Sequence, residues 1–393
     1  MHISTDPKKI EELLTRGVDE VIGLDSLRQK LLSGRQLVVK LGIDPTSPNI
    51  HVGRSVPLLK LRDFQELGHK IVFILGDFTG IIGDTSDKDS ERPMLEKSTV
   101  EENLQTYAEQ AGKIVDISKC EVLRNSVWLK DLSYGDVGEH ANAFSVAEFI
   151  GRDNIRRRLE AGKRVSLREM IYPLMQGYDS VHIKADVELG GTDQRFNLLA
   201  GRRLQEQFGQ EPQGVVTNPL IEGIDGRKMS SSWGNTINLT DTPNDMFGKA
   251  MKIPDEYILK YMTFVTRLPL DDVQKTAKGL KEGENPRDAK MLLARTLVHM
   301  YHGEFAALDA EKYFINTFAK KYTPESIPEF EADGKSLVDV LVLMGCVSSR
   351  SDARRAIEQG GAKINGSKVV AVDAVVAAGD TVQKGKRFFG KIV

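Results

Sequence analysis

The residues with the clearest potential for chemistry lie in a few polar segments, and the first of these precedes a predicted helix. GIDPTSPNIHVGR (42–54) contains two glycines, which let a ligand approach the backbone closely. His51 and Arg54 are about one turn apart at the start of that helix, where unpaired backbone N–H groups attract anions. The segment therefore predicts a phosphate site. The plainer alternative is a polar turn in which His51 only caps the helix.

A second segment, GRKMSSS (226–232), combines a glycine, two cations and three hydroxyl groups. Lys228 can neutralise charge on a phosphate, while serine hydroxyls and loop amides donate hydrogen bonds. A solvated basic turn is the alternative. The chain has neither a Gly-x-x-x-x-Gly-Lys-Ser/Thr loop nor a Gly-x-Gly-x-x-Gly fingerprint after a strand. A nucleotide bound here would therefore not be held by either standard motif.

The third segment places three different polar groups on one side of a predicted helix. In YPLMQGYDS (172–180), Tyr172, Gln176 and Asp179 are spaced so that they share one helical face. A phenol, an amide and a carboxylate on one face can line a small polar pocket. The more common fate of such residues is a solvated stripe.

Two further polar segments follow predicted strands. ELGGTDQRFN (188–197) has a Gly–Gly pair that allows close backbone approach beside an acid and an amide. GIIGDTSDKDSERP (80–93) holds Asp84 at its base and the cations Lys88 and Arg92 in what reads as a mobile loop. A plain flexible loop is the alternative for this segment.

Alternating strand and helix patterns must position these segments. QLVVKLGI (36–43) and KIVFILGDF (70–78) are nearly continuous apolar runs, typical of strands buried on both faces. VHIKADVELGG (181–191) and GVVTNPLI (214–221) predict further strands, with helices between them. The alternation predicts an α/β fold with a doubly wound, mostly parallel sheet, which binds ligands at the carboxyl ends of its strands.

Changes in composition divide the chain into three predicted domains. Residues 1–235 are predicted to form a Rossmann-like domain with an inserted segment at about 90–175. Residues 236–332 are predicted to form a helical domain and linker. Residues 333–393 are predicted to form a small basic domain, because Lys335 to the end holds ten basic against five acidic residues.

The whole composition excludes several classes of protein. The 393 residues are 40% apolar and 28% charged with a net charge of −2, as in a core-forming protein and unlike a disordered or histone-like one. No apolar run approaches the roughly 20 residues of a membrane span, and the N-terminus lacks the apolar region of a secretory signal. Two cysteines exclude a disulfide framework or a cysteine zinc finger. We therefore expect a cytoplasmic globular protein.

Taken in order, these segments resemble those of class I aminoacyl-tRNA synthetases, and most closely the bacterial tyrosyl-tRNA synthetases. The two signatures of the class, His-x-Gly-His and Lys-Met-Ser-Lys-Ser, read HVGR (51–54) and KMSSS (228–232) here. GIDPTSPNIHVG, GHKIVFILGDFTGIIGD, YPLMQGYD and GGTDQ are similar to segments of the tyrosyl enzymes. MGCVSSRSDARRAIEQGGAKINGSKV (344–369) resembles the small RNA-binding fold that many of them carry.

The resemblance implies a reaction and its participants. L-Tyrosine would be activated by ATP to tyrosyl-adenylate and pyrophosphate, and the tyrosine would then be transferred to the 3′ end of tRNA(Tyr). The substrate carboxylate is itself the nucleophile, so catalysis would come from positioning and from charge stabilisation. ATP is a substrate that carries Mg²⁺ with it, so no dedicated protein metal site is expected. A homodimer without membrane contact is also implied.

The resemblance also assigns roles position by position. The residues implied to bind tyrosine are Lys40, Asp44, Asp84, Tyr172, Gln176, Asp179 and Gln194. Asp179 would accept the phenol hydroxyl. The residues implied to act on the phosphates are His51, Thr46, Arg54, Lys88, Arg92 and Lys228. The residues implied to bind ATP are Gly42, Gly53, Gly191, Asp193, Lys228, Met229, Ser230, Ser231 and Ser232. The resemblance also implies that residues 1–235 form the catalytic domain, with a connective segment at about 90–175, and that residues 333–393 form a small α+β RNA-binding domain. From the basic charge of that domain, the residues expected to bind RNA are Arg350, Arg354, Lys363 and Lys368, with a solvated charged face as the alternative.

Three departures from the family pattern leave alternatives open. Lys40 stands where many bacterial tyrosyl enzymes have a second tyrosine, which indicates a variant pocket. Arg54 replaces the second signature histidine but stays cationic, and Ser231 replaces the second signature lysine. One alternative is a tryptophanyl-type synthetase, and the other is a catalytically inactive paralogue that binds RNA. A second basic cluster, RRRLEAGKR (156–164), is a weaker candidate for contact with the tRNA acceptor stem.

Overall fold

The chain folds into two compact units, Met1–Ala310 and Glu311–Val393. The computed structural model describes residues 3–86, 90–91, 93–320, 327–385 and 388–393, without the side chains of 318–320. The finer domain boundaries predicted at about 235 and 332 remain predictions.

A six-stranded sheet forms the centre of the first unit. Its strands are β1 (Glu20–Ile22), β2 (Val38–Ile43), β3 (Lys70–Leu75), β4 (Cys120–Arg124), β5 (Val187–Gly191) and β6 (Gly214–Asn218). Their order is β1-β6-β5-β2-β3-β4, and only β1 runs antiparallel to its neighbour. This confirms the predicted α/β class with a mostly parallel sheet.

The apolar strands are buried on both faces, as their sequences predict. Every residue of β6 is buried, and so is every residue of β3 after Lys70. From β2 the chain proceeds to β3 on one side of the sheet and later returns to β5 on the other side. The carboxyl ends of β2 and β5 therefore form the switch point at which such sheets bind ligands.

Helices surround this sheet and then continue as a helical stretch, whose last helix extends past Ala310 into the residues of the second unit. Along the chain they are α1 (Pro7–Thr15), α2 (Leu24–Leu32), α3 (Val52–Glu66), α4 (Thr79–Ile82), α5 (Lys97–Gly112), α6 (Ser126–Leu129), α7 (Tyr134–Ala141), α8 (Val146–Ile150), α9 (Asp153–Glu160), α10 (Leu167–Ile183), α11 (Arg195–Gln207), α12 (Pro243–Ala250), α13 (Ile258–Phe264), α14 (Leu270–Lys281), α15 (Pro286–His302) and α16 (Glu304–Lys320). Single 3₁₀ turns lie at Ile117–Lys119, Thr192–Gln194, Ser231–Trp233 and Asp255–Tyr257.

Two details differ from the sequence prediction. The strand predicted from residue 181 begins only at Val187, because the preceding residues complete α10. That helix starts at a Ser166 capping box and ends at Lys184, which has a left-handed φ of 53°. Strands β1 and β4 were not predicted, since β1 is three residues long and β4 is a partly exposed strand at the sheet edge.

The second unit is a small α+β fold, as predicted for the C-terminal domain. Its elements are β7 (Glu329–Phe330), α17 (Leu337–Leu343), α18 (Arg350–Glu358), β8 (Ala362–Ile364), β9 (Ser367–Val369), β10 (Thr381–Lys384) and β11 (Phe388–Ile392). The sheet order is β7-β11-β10-β8-β9. Leu337, Leu341, Ile357 and Val382 belong to its apolar core.

Among the residues that the structure describes, no helix combines the length and the apolar character that crossing a lipid bilayer would require.

Candidate active site

One cavity of about 270 Å³ opens at the switch point between β2 and β5. Most of the predicted site residues line it, although they come from distant parts of the chain. They are Gly42, Asp44, Thr46, His51, Gly53, Arg54, Asp84, Tyr172, Gln176, Asp179, Gly191, Asp193, Gln194, Lys228, Met229, Ser230, Ser231 and Ser232. Lys88 and Arg92 lie outside the described residues.

At the start of α3, the His51 side chain occupies two structural positions at once. It caps the helix, because its Nδ1 accepts a hydrogen bond of 3.3 Å from the Arg54 backbone N–H, and it also lines the cavity. Burial, assisted by the charges of Arg54 and Lys228, lowers the pKa of His51 to about 3. The ring is therefore neutral near pH 7. Since Nδ1 accepts, Nε2 carries the proton and can donate to an anion.

Two cations lie near this helix start. The Arg54 guanidinium donates hydrogen bonds of 3.3 Å to Thr46 Oγ1 and to Tyr107 Oη. Lys228 Nζ is 3.0 Å from Asp193 Oδ2. Together with the backbone N–H groups of α3, they form a positive region suited to phosphate groups.

The loop that carries Lys228 is held in place by a residue that the sequence analysis did not single out. The Asn235 side chain accepts from the Ser230 N–H at 2.9 Å and donates to the Lys228 carbonyl at 3.1 Å. In the same loop, Trp233 is about half exposed and has the Arg227 guanidinium 4.8 Å from its ring centroid. The backbone of the 228–232 segment is therefore anchored at its base.

The opposite part of the cavity contains the buried carboxylate Asp179. Trp128 Nε1 donates to its Oδ1 at 2.8 Å, and Asn125 Nδ2 donates to its Oδ2 at 3.3 Å. Burial raises the pKa of Asp179 to about 7, while Lys40 and these two hydrogen bonds act in the opposite direction. Asp179 is thus a fixed acceptor whose ionisation falls within the physiological range.

Asp44 is fixed by two hydroxyl donors. Tyr172 Oη and Thr79 Oγ1 each donate to a different oxygen of this carboxylate, both at 2.7 Å. A Cβ at Gly76 would lie 2.0 Å from Asp44 Oδ1, so only glycine leaves room for this arrangement. Asn125 also donates to Thr79 at 2.9 Å, which links Asp44 to Asp179 through hydrogen bonds.

Asp84 belongs to a network of amide groups. Gln194 Nε2 donates to Asp84 Oδ2 at 2.6 Å. Asn197 Nδ2 donates to Gln194 Oε1 at 3.0 Å and to Gln176 Oε1 at 3.2 Å. This part of the cavity is therefore rich in hydrogen-bond acceptors and suits a small cation such as an ammonium group.

Lys40 differs from its expected place as a tyrosine-binding residue. It does not belong to the cavity lining; its ammonium forms a 2.9 Å ion pair with Glu188 on the neighbouring strand. A fully buried ammonium needs an anionic partner, and the strand register supplies one directly opposite.

Asn125, Trp128 and Asn197 were missed by sequence reasoning. Asn125 directly follows β4, so recognising that strand would have marked it as a strand-end residue. No pattern in the sequence pointed to Trp128, which stands out only as one of the two tryptophans of the chain. Within the described ranges, no group of three or more His, Cys, Asp and Glu side chains could hold a metal ion.

A buried ion pair anchors the loop that begins at Asp84. Glu169 on α10 accepts from Arg158 Nη2 at 2.9 Å and from Thr85 Oγ1 at 2.7 Å. Arg158 is fully buried, which corrects the suggestion that it contacts RNA with the rest of the 156–164 cluster.

Replacing Glu169 with alanine is expected to lower the free energy of unfolding by about 3 to 5 kcal/mol, because the buried Arg158 charge would lose its partner. Chemical denaturation followed by circular dichroism measures this loss. As a control, Glu101→Ala breaks an exposed ion pair with Arg124 and should cost less than about 1 kcal/mol. Equal stability losses in the two variants would contradict the prediction.

The predicted RNA-binding residues all lie in the second unit. Arg350 forms an ion pair with Asp339, with 2.6 Å between its Nε and Oδ1. Arg354 is exposed on α18. Lys363 and Lys368 are exposed and directly opposite each other on β8 and β9. Like charges on directly opposite residues repel each other, so an anion bound between these two lysines would stabilise the fold.

Comparison with known proteins gives matches over nearly the whole chain. The family model for class I tRNA synthetases (W and Y) matches residues 32–319, and the model for the tyrosine–tRNA ligase SYY-like C-terminal domain matches residues 319–389. The tyrosine–tRNA ligase of Thermotoga maritima is 44% identical over 391 residues, covering 98% of each chain. That of Haemophilus influenzae is 45% identical, covering 99% of this chain and 98% of its own.

Solved structures agree with these sequence matches. The crystal structure of tyrosyl-tRNA synthetase complexed with L-tyrosine from Archaeoglobus fulgidus is 25% identical and superimposes with a TM-score of 0.62. It covers 78% of this chain and 98% of its own. The chain therefore belongs to the class I tRNA synthetase family that contains the tyrosyl and tryptophanyl enzymes.

Proposed function

We propose that the chain is a tyrosine–tRNA ligase that forms tyrosyl-adenylate and pyrophosphate from L-tyrosine and ATP, then transfers the tyrosine to the 3′ end of tRNA(Tyr). One observation carries the proposal: a single cavity joins a buried hydroxyl acceptor, Asp179, to a cationic helix start at His51 and Arg54. An amino acid that ends in a hydroxyl fits one side, and a polyphosphate fits the other.

Tyrosine binds with its phenol hydroxyl donating to Asp179. Its ammonium lies among Asp84, Tyr172 and Gln176, whose oxygens are acceptors. Asp44 and Gln194 orient the amino acid and its carboxyl group. The hydrogen bonds that already fix these side chains support this arrangement, because a pre-organised site loses little entropy on binding.

In the first step, a carboxylate oxygen of tyrosine attacks the α-phosphorus of ATP, and the bond to pyrophosphate breaks. Thr46, Arg54 and Lys228 stabilise the charge that develops on the leaving group, and neutral His51 donates a hydrogen bond to it. We propose Lys88 and Arg92 as further cations on pyrophosphate.

The remaining ATP contacts are proposed for the glycines and the hydroxyl loop. Gly42, Gly53 and Gly191 leave space for the nucleotide, and Asp193 accepts from the ribose. Met229 and the serines at 230–232 border the nucleotide with their backbone and hydroxyl groups. Mg²⁺ arrives with ATP, held by its phosphates and by water.

For tRNA, the second unit offers a cationic surface. Arg350, Arg354, Lys363 and Lys368 would contact phosphates, which requires little sequence information. The repulsion between the facing lysines of β8 and β9 supports this assignment.

A homodimer in the cytoplasm completes the proposal. Large apolar side chains are exposed in the first unit at Val127, Tyr134, Val146 and Ile150, and a second copy of the chain would cover such groups. Sedimentation velocity would distinguish a dimer from a monomer.

The deciding experiment is ATP–pyrophosphate exchange with each of the twenty amino acids. We expect exchange with tyrosine and background rates with the others, because only tyrosine carries a hydroxyl at the far end of an aromatic ring, where it can reach Asp179. Exchange with tryptophan instead would favour a tryptophanyl enzyme. No exchange with any amino acid, from protein that unfolds cooperatively, would favour an inactive RNA-binding paralogue.

A further inference from the structure

An ion pair lies buried between the two strands on either side of the switch point. Lys40 on β2 and Glu188 on β5 are register partners, with 2.9 Å between Nζ and Oε1. Their side chains are 0% and 1% exposed. Buried ion pairs are seldom retained for stability, since two well-packed apolar residues usually do as well. The pair therefore calls for another explanation.

Both partners form hydrogen bonds to α10, and Glu188 also accepts one from Gln213, which directly precedes β6. Lys40 Nζ donates to the Gln176 carbonyl and to Ser180 Oγ, both at 2.8 Å. Glu188 accepts from Gln176 Nε2 and from Ser180 Oγ, both at 3.1 Å, and from Gln213 Nε2 at 2.5 Å. The pair thus ties the sheet to the helical turn that contains Asp179.

This arrangement determines which way the Gln176 amide faces. Its NH₂ group donates to Glu188, and its oxygen accepts from Asn197 at 3.2 Å. Gln176 lines the cavity, and its oxygen keeps a second lone pair with which it can accept a hydrogen bond from a ligand. An acceptor is what an ammonium group requires.

The pair also acts on the charge of Asp179. Lys40 lowers the pKa of Asp179 and so opposes the effect of burial, whereas Glu188 raises it more weakly. Tyr172 also interacts with Asp179, and it stays neutral because burial raises its own pKa. Trp128 and Asn125 contribute only hydrogen bonds.

We propose that the Lys40–Glu188 pair is a positioning element of the tyrosine site: it turns the Gln176 oxygen towards the substrate ammonium and maintains Asp179 as the acceptor for the phenol hydroxyl. Neither residue touches the substrate. The inference rests on the proposed tyrosine specificity. It adds an explanation of why Gln176 and Asp179 present hydrogen-bond acceptors to the substrate.

The test measures the Kd of L-tyrosine by isothermal titration calorimetry between pH 6 and 8.5, without ATP. For the wild type, affinity should be constant at high pH and fall by up to about tenfold per pH unit below the pKa of Asp179. Lys40→Met combined with Glu188→Gln removes both charges and should move this fall to higher pH, because Lys40 has the stronger effect. Glu188→Gln alone keeps Lys40 and should move it to lower pH.

Shifts in opposite directions cannot arise from a general loosening of the fold. Lys60→Met is a matched control, since Lys60 is also a buried lysine but lies outside the cavity lining. It should leave the pH profile unchanged. Profiles that coincide with the wild type, or that shift in the same direction in both variants, would overturn the inference. If the double variant does not fold, the Glu188→Gln variant is sufficient. A shift of its profile to lower pH supports the inference, and no shift or a shift to higher pH overturns it.

Wild-type tyrosine-dependent exchange is measured alongside. Its absence would refute the proposed function, whereas its presence with unshifted profiles would refute only the positioning role. The KM for ATP should stay within about twofold of the wild type in both variants, because neither residue lies near the phosphate region.

Discussion

Replacing Asp179 with alanine is expected to lower kcat/KM for tyrosine in pyrophosphate exchange by about two orders of magnitude. The substrate hydroxyl would lose a charged acceptor, a loss of about 1.5 to 3 kcal/mol. Trp128 and Asn125 would also lose their partner inside the protein, which adds to the penalty. The KM for ATP should change little, because Asp179 lies at the other part of the cavity. Steady-state exchange with each substrate varied in turn measures both quantities.

Phenylalanine provides the control for this variant. We expect the wild type to activate phenylalanine poorly, because it lacks the hydroxyl and would leave a buried acceptor without a partner. Asp179→Ala should therefore narrow the ratio of tyrosine to phenylalanine activation, mainly by reducing the tyrosine rate. Unchanged tyrosine exchange in the variant would show that the hydroxyl is recognised elsewhere.

Ending the chain after Lys320 is expected to abolish tRNA charging and to preserve adenylate formation. The residues that line the cavity all precede this point, within the first compact unit. The removed part holds the basic surface of α18, β8 and β9, and loss of several phosphate contacts lowers affinity by orders of magnitude at physiological salt. Exchange and aminoacylation assays on the same preparation separate the two activities.

A charge-reversed full-length chain controls for indirect effects of truncation. Arg354→Glu with Lys363→Glu changes two exposed side chains and leaves the buried core of the second unit intact. It should weaken charging and reduce its dependence on salt concentration, while exchange stays at the wild-type rate. Equal charging by the truncated and complete chains would refute the RNA-binding role.

The sequence predicted which residues come together in the structure where the signal was local. Apolar runs marked β2 and β3, and the polar loops that follow them meet at one edge of the sheet. The spacing of Tyr172, Gln176 and Asp179 correctly placed all three on the cavity side of α10. Local periodicity is enough for such inferences because a helix or strand fixes which residues share a face.

Side-chain contacts that depend on strand register could not be predicted from the sequence. The pairing of Lys40 with Glu188 follows from the alignment of β2 and β5, which are far apart in the chain. The resemblance alone therefore assigns Lys40 to the tyrosine-binding residues. Asn125 and Trp128 were missed for a related reason, because the edge strand β4 is polar and partly exposed and did not resemble a strand of the core.

The two tryptophans adjoin different residues of the cavity lining. Trp128 is buried against Asp179 and stacks on His182, while Trp233 is about half exposed and directly follows Ser232 in the loop that carries Lys228. A buried and a hydrated indole emit at different wavelengths, so intrinsic fluorescence contains two separable signals. We expect the first to respond to the amino acid and the second to respond to ATP. Stopped-flow recordings would then resolve the order in which these two substrates bind, without any added label.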